Sequence, residues 1–199
     1  MKWVRFVSKP GRFPIFGTQL DVFWLCAMGL DTKMDKTVLD ACCGSRKFWF
    51  DADNQGVIFM DRRVERTSVS DRSHGKQDGV RWIEISPDVV GDFRSMPFTS
   101  ESFSLVVFDP PHLLRSRTGR KSWMATAYGT LGPDWRADLR LGFRECFRVL
   151  RVGGTLIFKW SETNVPLAEV LKLAGRKPLF GNRMPKLSGT HWVVFQKDE

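Results

Sequence analysis

The sequence predicts an α/β fold, a doubly wound sheet of mostly parallel strands, on three observations. Short apolar runs of strand length recur along the chain and end at an acid, a turn or a glycine. Amphipathic helical stretches separate the later runs, and strands alternating with helices close into a wound sheet. Internal repeats and low-complexity tracts are both lacking, so neither a solenoid nor a fibrous architecture competes.

Taken in order, TVLDA (37–41), VIFMD (57–61), DVVGD (88–92), SLVVFD (104–109) and TLIFKW (155–160) read as parallel strands. They are near-continuous apolar runs, as strands covered on both faces must be. KPLFG (177–181) is a weaker strand, and THWVVFQK (190–197), rich in β-branched and aromatic residues, is a strong terminal one. WRADLRLGFRECFRVL (135–150) sets Leu139, Phe143, Phe147 and Leu150 on one helical face and arginines on the other. PLAEVLKLAG (166–175) reads as a second helix with a glycine stop. Residues 1–36 and the polar stretch 62–80 fit the alternation poorly and read as solvated loops.

With 199 residues, 42% of them hydrophobic, the chain has enough apolar material for one well-filled core, and a single domain over 1–199 is expected. The longest apolar candidate, Leu20 to Leu30, contains Asp21 and is shorter than the roughly 18–20 residues a membrane helix needs. The start, MKWVRFVSKPGRF, has no apolar core of a secretory signal, so a cytoplasmic protein without membrane partners is expected. Cysteines 26, 42, 43 and 146 show neither C-x-x-C spacing nor a histidine at zinc-ligand distance. They are expected as reduced thiols, with no metal, and His74 and His191 carry no ligand pattern. Adjacent Cys42 and Cys43 would make a strained disulfide and read as small residues in a turn.

SLVVFDPPHL (104–113) is the most informative stretch. An apolar strand ends in Asp109 at its carboxyl end, where open α/β sheets hold ligands. Pro110 and Pro111 fix the backbone and remove two amide donors, leaving rigid carbonyl acceptors suited to an amino group. The DPPH run resembles the [D/N/S]-P-P-[aromatic] signature of adenine-N6 and related amino methyltransferases that use S-adenosylmethionine (AdoMet), with His112 at the aromatic position. The resemblance implies that Asp109 and the Pro110 carbonyl accept hydrogen bonds from the substrate amine while Pro111 and His112 complete the catalytic motif and His112 stacks on the base.

Further segments extend that resemblance over about residues 37–197. VLDACCGSR (38–46) is similar to motif I of class I AdoMet methyltransferases, with Asp40 as its acid and Ala41, Cys42 and Gly44 in the turn that approaches the methionine part of the ligand. Arg46 stands where that motif has its second glycine, and only eleven residues separate Ser45 from Val57, so a following helix must be short. Asp61 matches the acid that takes the ribose hydroxyls. VVGDFRSMPFTSESFSLVVFDPP (89–111) resembles the family's segment in which Asp92 meets the adenine amino group and Phe93 its ring face. VLRVGGTLIFKW (149–160) resembles the glycine turn before the fifth strand. The resemblance implies a Rossmann-like, seven-strand methyltransferase fold with an antiparallel C-terminal strand, 37–197 as AdoMet-binding core, and 112–134 as substrate loop. Asp109 would face both cofactor and acceptor.

Charge points to the acceptor. The chain carries a net charge of +9, and from His112 to Lys159 ten lysines and arginines face three acids, a local excess of seven beside the motif. Arg115, Arg117, Arg120 and Lys121 would contact phosphates, and Trp123 and Tyr128 would help hold a base. Three readings compete: methylation of an exocyclic amine, adenine N6 in DNA or RNA; methylation of a nitrogen on a protein or small molecule; and AdoMet binding without catalysis. Oligomeric state has no signature in the sequence.

Overall fold

The computed structural model describes residues 36–70, 79–115, 123–182 and 189–199. Nine strands and three helices lie within them. They are β1 Val38–Asp40, β2 Val57–Asp61, β3 Glu65–Ser70, β4 Val80–Ile85, β5 Val89–Val90 and β6 Phe103–Phe108, then α1 Trp123–Tyr128, α2 Trp135–Val149, β7 Leu150–Ser161, α3 Leu167–Leu171, β8 Phe180–Gly181 and β9 Thr190–Gln196. Seven strands form one sheet in the order β5-β2-β1-β6-β7-β9-β8. Pairings from β5 to β7 are parallel, whereas β9 runs antiparallel to both β7 and β8. The sheet is therefore the mostly parallel, seven-strand type with an antiparallel C-terminal strand that the sequence implied.

Alternation along each strand sorts the sheet into two faces. Leu39, Ile58, Met60, Val106, Phe108, Leu156, Phe158 and Trp160 join Leu139, Phe143, Cys146 and Phe147 of α2 in the main core. Residues one step out of phase, Asp40, Asp61, Asp109 and Lys159, fall on the opposite face, at or just beyond the carboxyl ends of β1, β2, β6 and near the end of β7. Strand order reverses at β1, which pairs with β2 on one side and β6 on the other, and this is where open sheets bind ligands.

Four expectations need correction. Residues 62–80 are not simply a loop: β3 and β4 pair as an antiparallel ribbon, with Ile83 and Ile85 packed on Ala127 of α1. No helix follows the turn after β1; residues 41–56 run as successive turns. Part of the expected substrate loop, Trp123–Tyr128, is helical. The glycine turn before the fifth strand is a bulge within β7, where pairing to β6 jumps from Phe103↔Leu150 to Leu105↔Thr155. Gly153 sits there at φ +75°, and a Cβ on Gly154 would lie 2.8 Å from the Arg151 carbonyl, so both glycines are required.

No helix among the described residues is long and apolar enough to cross a membrane. No group of three or more His, Cys, Asp or Glu among them could hold a metal. Cys42, Cys43 and Cys146 are free thiols.

Candidate active site

A cleft opens at the carboxyl ends of the central strands. Ala41, Cys42, Gly44, Asp61, Phe93, Asp109, Pro110, Pro111, His112 and Tyr128 all line it, bringing most of the expected cofactor and acceptor residues into one space. Lys47, Phe48, Arg62, Arg63, Gly129 and Lys159 line it as well, none of which the motifs singled out.

The turn after β1 supplies part of the lining. Gly44 adopts φ +49°, and a Cβ there would meet nothing within 4 Å, so the backbone faces open space. Arg46, in place of the second glycine, keeps a left-handed backbone at φ +54°, a conformation costing a non-glycine residue roughly 1–3 kcal/mol. Its side chain repays that locally: the guanidinium donates to Ala52 O and Ser86 O, each at 2.7 Å, and lies 3.9 Å from the Phe59 ring centroid. Arg46 thus pins the turn segment in place of the missing helix.

Asp40 does not reach the cleft lining. Its fully buried carboxylate accepts from Trp49 Nε1 at 2.7 Å and from the Cys42 N–H at 3.1 Å, bracing the turn from below. Burial pushes its carboxyl up to about 7, against the lowering effect of those two donors. Asp61 does face the cleft. Its Oδ2 accepts from Gly44 N at 3.0 Å, and its Oδ1 accepts from the backbone N of Arg63 at 2.9 Å and from Arg63 Nε at 3.3 Å.

Asp92 is held off the lining. Arg94 grips it through Nε at 2.9 Å and Nη2 at 2.6 Å and reaches Asp138 of α2 at 3.0 Å. Burial alone would raise the Asp92 carboxyl, but the Arg94 guanidinium and backbone N–H hold it below its usual value. Its neighbour Phe93 lines the cleft and packs edge-on against Phe108, with ring centroids 5.4 Å apart.

Asp109 Oδ2 pairs with Lys159 Nζ at 2.5 Å. Burial pushes the Asp109 carboxyl up, and the adjacent ammonium opposes that rise. No donor among the described residues reaches the Pro110 carbonyl. His112 is half-buried; burial and then Lys159 lower its pKa, which favours a neutral ring near pH 7. Its ring lies 6.0 Å from that of Tyr128, tilted by 41°, and Lys47 Nζ stands 5.2 Å from the Tyr128 centroid. Trp123 sits behind Tyr128, off the lining, beneath the Arg81 guanidinium at 4.3 Å. Arg115 is exposed and off the lining, while Arg117, Arg120 and Lys121 lie outside the described residues.

The residues present fit AdoMet. Small side chains and an open glycine line the turn, a carboxylate stands at the end of β2, and an aromatic ring at Phe93 faces the space between. Lys159 escaped the sequence reading because it lies within an apolar run. The available signal was a lone charge in a strand neighbouring the one that ends in Asp109.

No protein-family model matches the chain. Over 153 residues, 73% of this chain, it is 25% identical to the Homo sapiens protein named U6 snRNA (guanine-N(2))-methyltransferase THUMPD2, and it is 24% identical to the Bos taurus protein of that name. The chain spans about a quarter of the length of these relatives, 26% in each case. Among solved structures, it is similar to a TehB-like SAM-dependent methyltransferase from Corynebacterium glutamicum, with a TM-score of 0.49 and 17% identity over 90% of this chain and 95% of that one. It is also similar to a Pyrococcus horikoshii protein, with a TM-score of 0.48 and 15% identity over 91% and 92% of the two chains.

Proposed function

We propose that the chain transfers a methyl group from AdoMet to an exocyclic amino group of a nucleic-acid base. The observation that carries this is the sharing of one cleft by the Gly44 turn, Asp61 and Phe93 with Asp109, Pro110 and His112. When bound, AdoMet supplies an electrophilic methyl on sulfur. Asp109 and Pro110 O then accept the amine N–H groups and aim the nitrogen lone pair, so positioning carries the rate more than base strength does. His112 and Tyr128 offer ring faces to a base taken out of its stack, each such contact contributing roughly 1–3 kcal/mol. Arg115, Arg117, Arg120 and Lys121 would hold the phosphates, and Asp92 would approach the adenine of the cofactor once released from Arg94.

Two purine amines suit an acceptor pair of this kind. The DPPH motif supports adenine N6. The likeness to proteins named as guanine-N2 methyltransferases of an RNA supports guanine N2, with RNA as the substrate. Incubation with labelled AdoMet and separate pools of DNA, RNA and protein, followed by nucleoside digestion and mass spectrometry, distinguishes these products. The expected result is a methylated purine from nucleic acid with wild type and none with Asp109→Ala, whose AdoMet affinity stays within about twofold. Label in protein alone, or undiminished label with Asp109→Ala, would reject the reading.

A further inference from the structure

We infer that Lys159 is a positioning residue for Asp109, engaging one carboxylate oxygen so that the other is presented to the acceptor amine. The inference rests on the proposed amine methylation and adds to it a residue that no motif supplied. Its basis is register. β6 and β7 pair in parallel with Phe108 opposite Phe158, so the next residue of each, Asp109 and Lys159, emerges side by side on the same face of the sheet. The contact is made through Oδ2 alone, at 2.5 Å.

Both partners are largely buried, with side-chain exposures of 22% for Lys159 and 14% for Asp109. A buried ion pair is poor value for stability, because desolvation offsets most of the attraction. The ammonium is further confined by two rings, lying 5.4 Å from the Phe48 centroid and 5.8 Å from that of Trp192, the residue opposite it on β9. A lysine held this firmly keeps the carboxylate in one orientation. The Asp109 side chain is thereby fixed without using the oxygen the substrate needs.

Ionisation matters as much as aim. Asp109 lines the cleft with His112 from its own loop, Asp61 from the end of β2 and Lys159 from β7, while Asp40 lies beneath, at the end of β1. Lys47, Arg62 and Arg63 stand elsewhere around the cleft, Arg63 being tied to Asp61. Burial disfavours a charged Asp109; Lys159, the cation in contact, favours it through its charge and its hydrogen bond. A protonated Asp109 would donate to the amine lone pair and block attack. In the productive state the nitrogen lone pair forms the N–C bond, the S–C bond breaks with its electrons passing to sulfur, and the surplus proton on nitrogen passes to the Asp109 carboxylate and then to water.

The test pairs two readouts on Lys159→Met and Lys159→Arg. The first is the titration of the Asp109 carboxyl by carbon NMR, assigned with Asp109→Asn, in protein without substrate. The second is the pH profile of kcat for methyl transfer to the identified nucleic acid. Lys159→Met is expected to raise the Asp109 midpoint by about one pH unit or more and to move the acid limb of kcat upward with it. AdoMet affinity should hold within about twofold, and Lys159→Arg should restore most of both. An unmoved titration or acid limb in folded Lys159→Met overturns the inference. Should that variant not fold, Lys159→Gln takes its place in both measurements with the same outcomes. A wild-type chain that methylates no nucleic acid would defeat the proposed function, whereas the titration would still report on the Asp109–Lys159 relationship by itself.

Discussion

Asp61 Oδ2 accepts a hydrogen bond from the Gly44 N–H at 3.0 Å, which ties the end of β2 to the turn that follows β1. The other oxygen of the same carboxylate holds Arg63, whose guanidinium reaches on to the carbonyls of Thr126 and Ala127 in α1 at 3.2 and 3.4 Å. Two side chains, Asp61 and Arg63, therefore link the glycine turn to the helix that carries Tyr128. Under the proposed function, the pair joins the cofactor turn to the helix whose Tyr128 would hold the base.

Asp61→Ala is accordingly expected to weaken AdoMet binding through two losses, the ribose hydrogen bonds and the bracing of Gly44. A hydrogen bond to a charged group contributes roughly 1.5–3 kcal/mol, equivalent to about a 10- to 150-fold rise in Kd. Isothermal calorimetry on the folded variant measures this directly, and an unchanged Kd would remove Asp61 from the cofactor site.

Asp40 gives a prediction in pH. Burial raises its folded carboxyl from 3.8 to about 7, so the folded state binds this proton more tightly than the unfolded chain does. Its contribution to stability is fully present below the unfolded value and is lost as pH rises towards the folded one, at up to about 1.4 kcal/mol per unit. Asp92 and Glu145, held low by Arg94 and by Arg148, act with the opposite sign and lose their contribution on acidification. Asp40→Asn removes the first effect while keeping one acceptor for Trp49 or Cys42. Urea unfolding at pH 5, 6, 7 and 8 should show wild type losing stability across the series and the variant losing distinctly less; parallel curves would mean that Asp40 is ionised throughout.

The strands were readable because a parallel sheet covered on both faces requires uninterrupted apolar runs, as VIFMD and LVVF show. The β3–β4 ribbon was not. Along Glu65–Ser70 only Val69 is apolar, and the ribbon's packing partners, Ala127 and Trp123, come from α1, beyond β6 in the sequence. Asp40 and Asp92 illustrate a second limit. Their motif positions were legible, but Trp49 and Arg94, which occupy them, are contacts of the folded chain that no spacing announces. Lys159 is the converse case: its strand was correctly placed, and its meaning emerged only once register set it beside Asp109.

Gly142 tests whether the aromatic packing under the cleft controls the cofactor end. It lies on α2, where a Cβ would fall 2.6 Å from Phe108 Cζ and 2.8 Å from Phe93 Cδ2, too close for either ring to stay in place. Alanine gains roughly 1 kcal/mol over glycine in helix propensity, but forcing a methyl group into a packed core costs typically 1–3 kcal/mol. Phe108 is wedged between Phe93, Phe143 and Phe158, so it has little room to retreat. Phe93, on the cleft wall, has more, and the strain should be relieved by its displacement. Gly142→Ala is therefore expected to show little gain or a modest loss in unfolding free energy, together with a several-fold weaker AdoMet Kd. Urea unfolding and calorimetry on the same preparation separate the two effects: full helix stabilisation with unchanged affinity would show that Phe93 neither moves nor bears on the ligand.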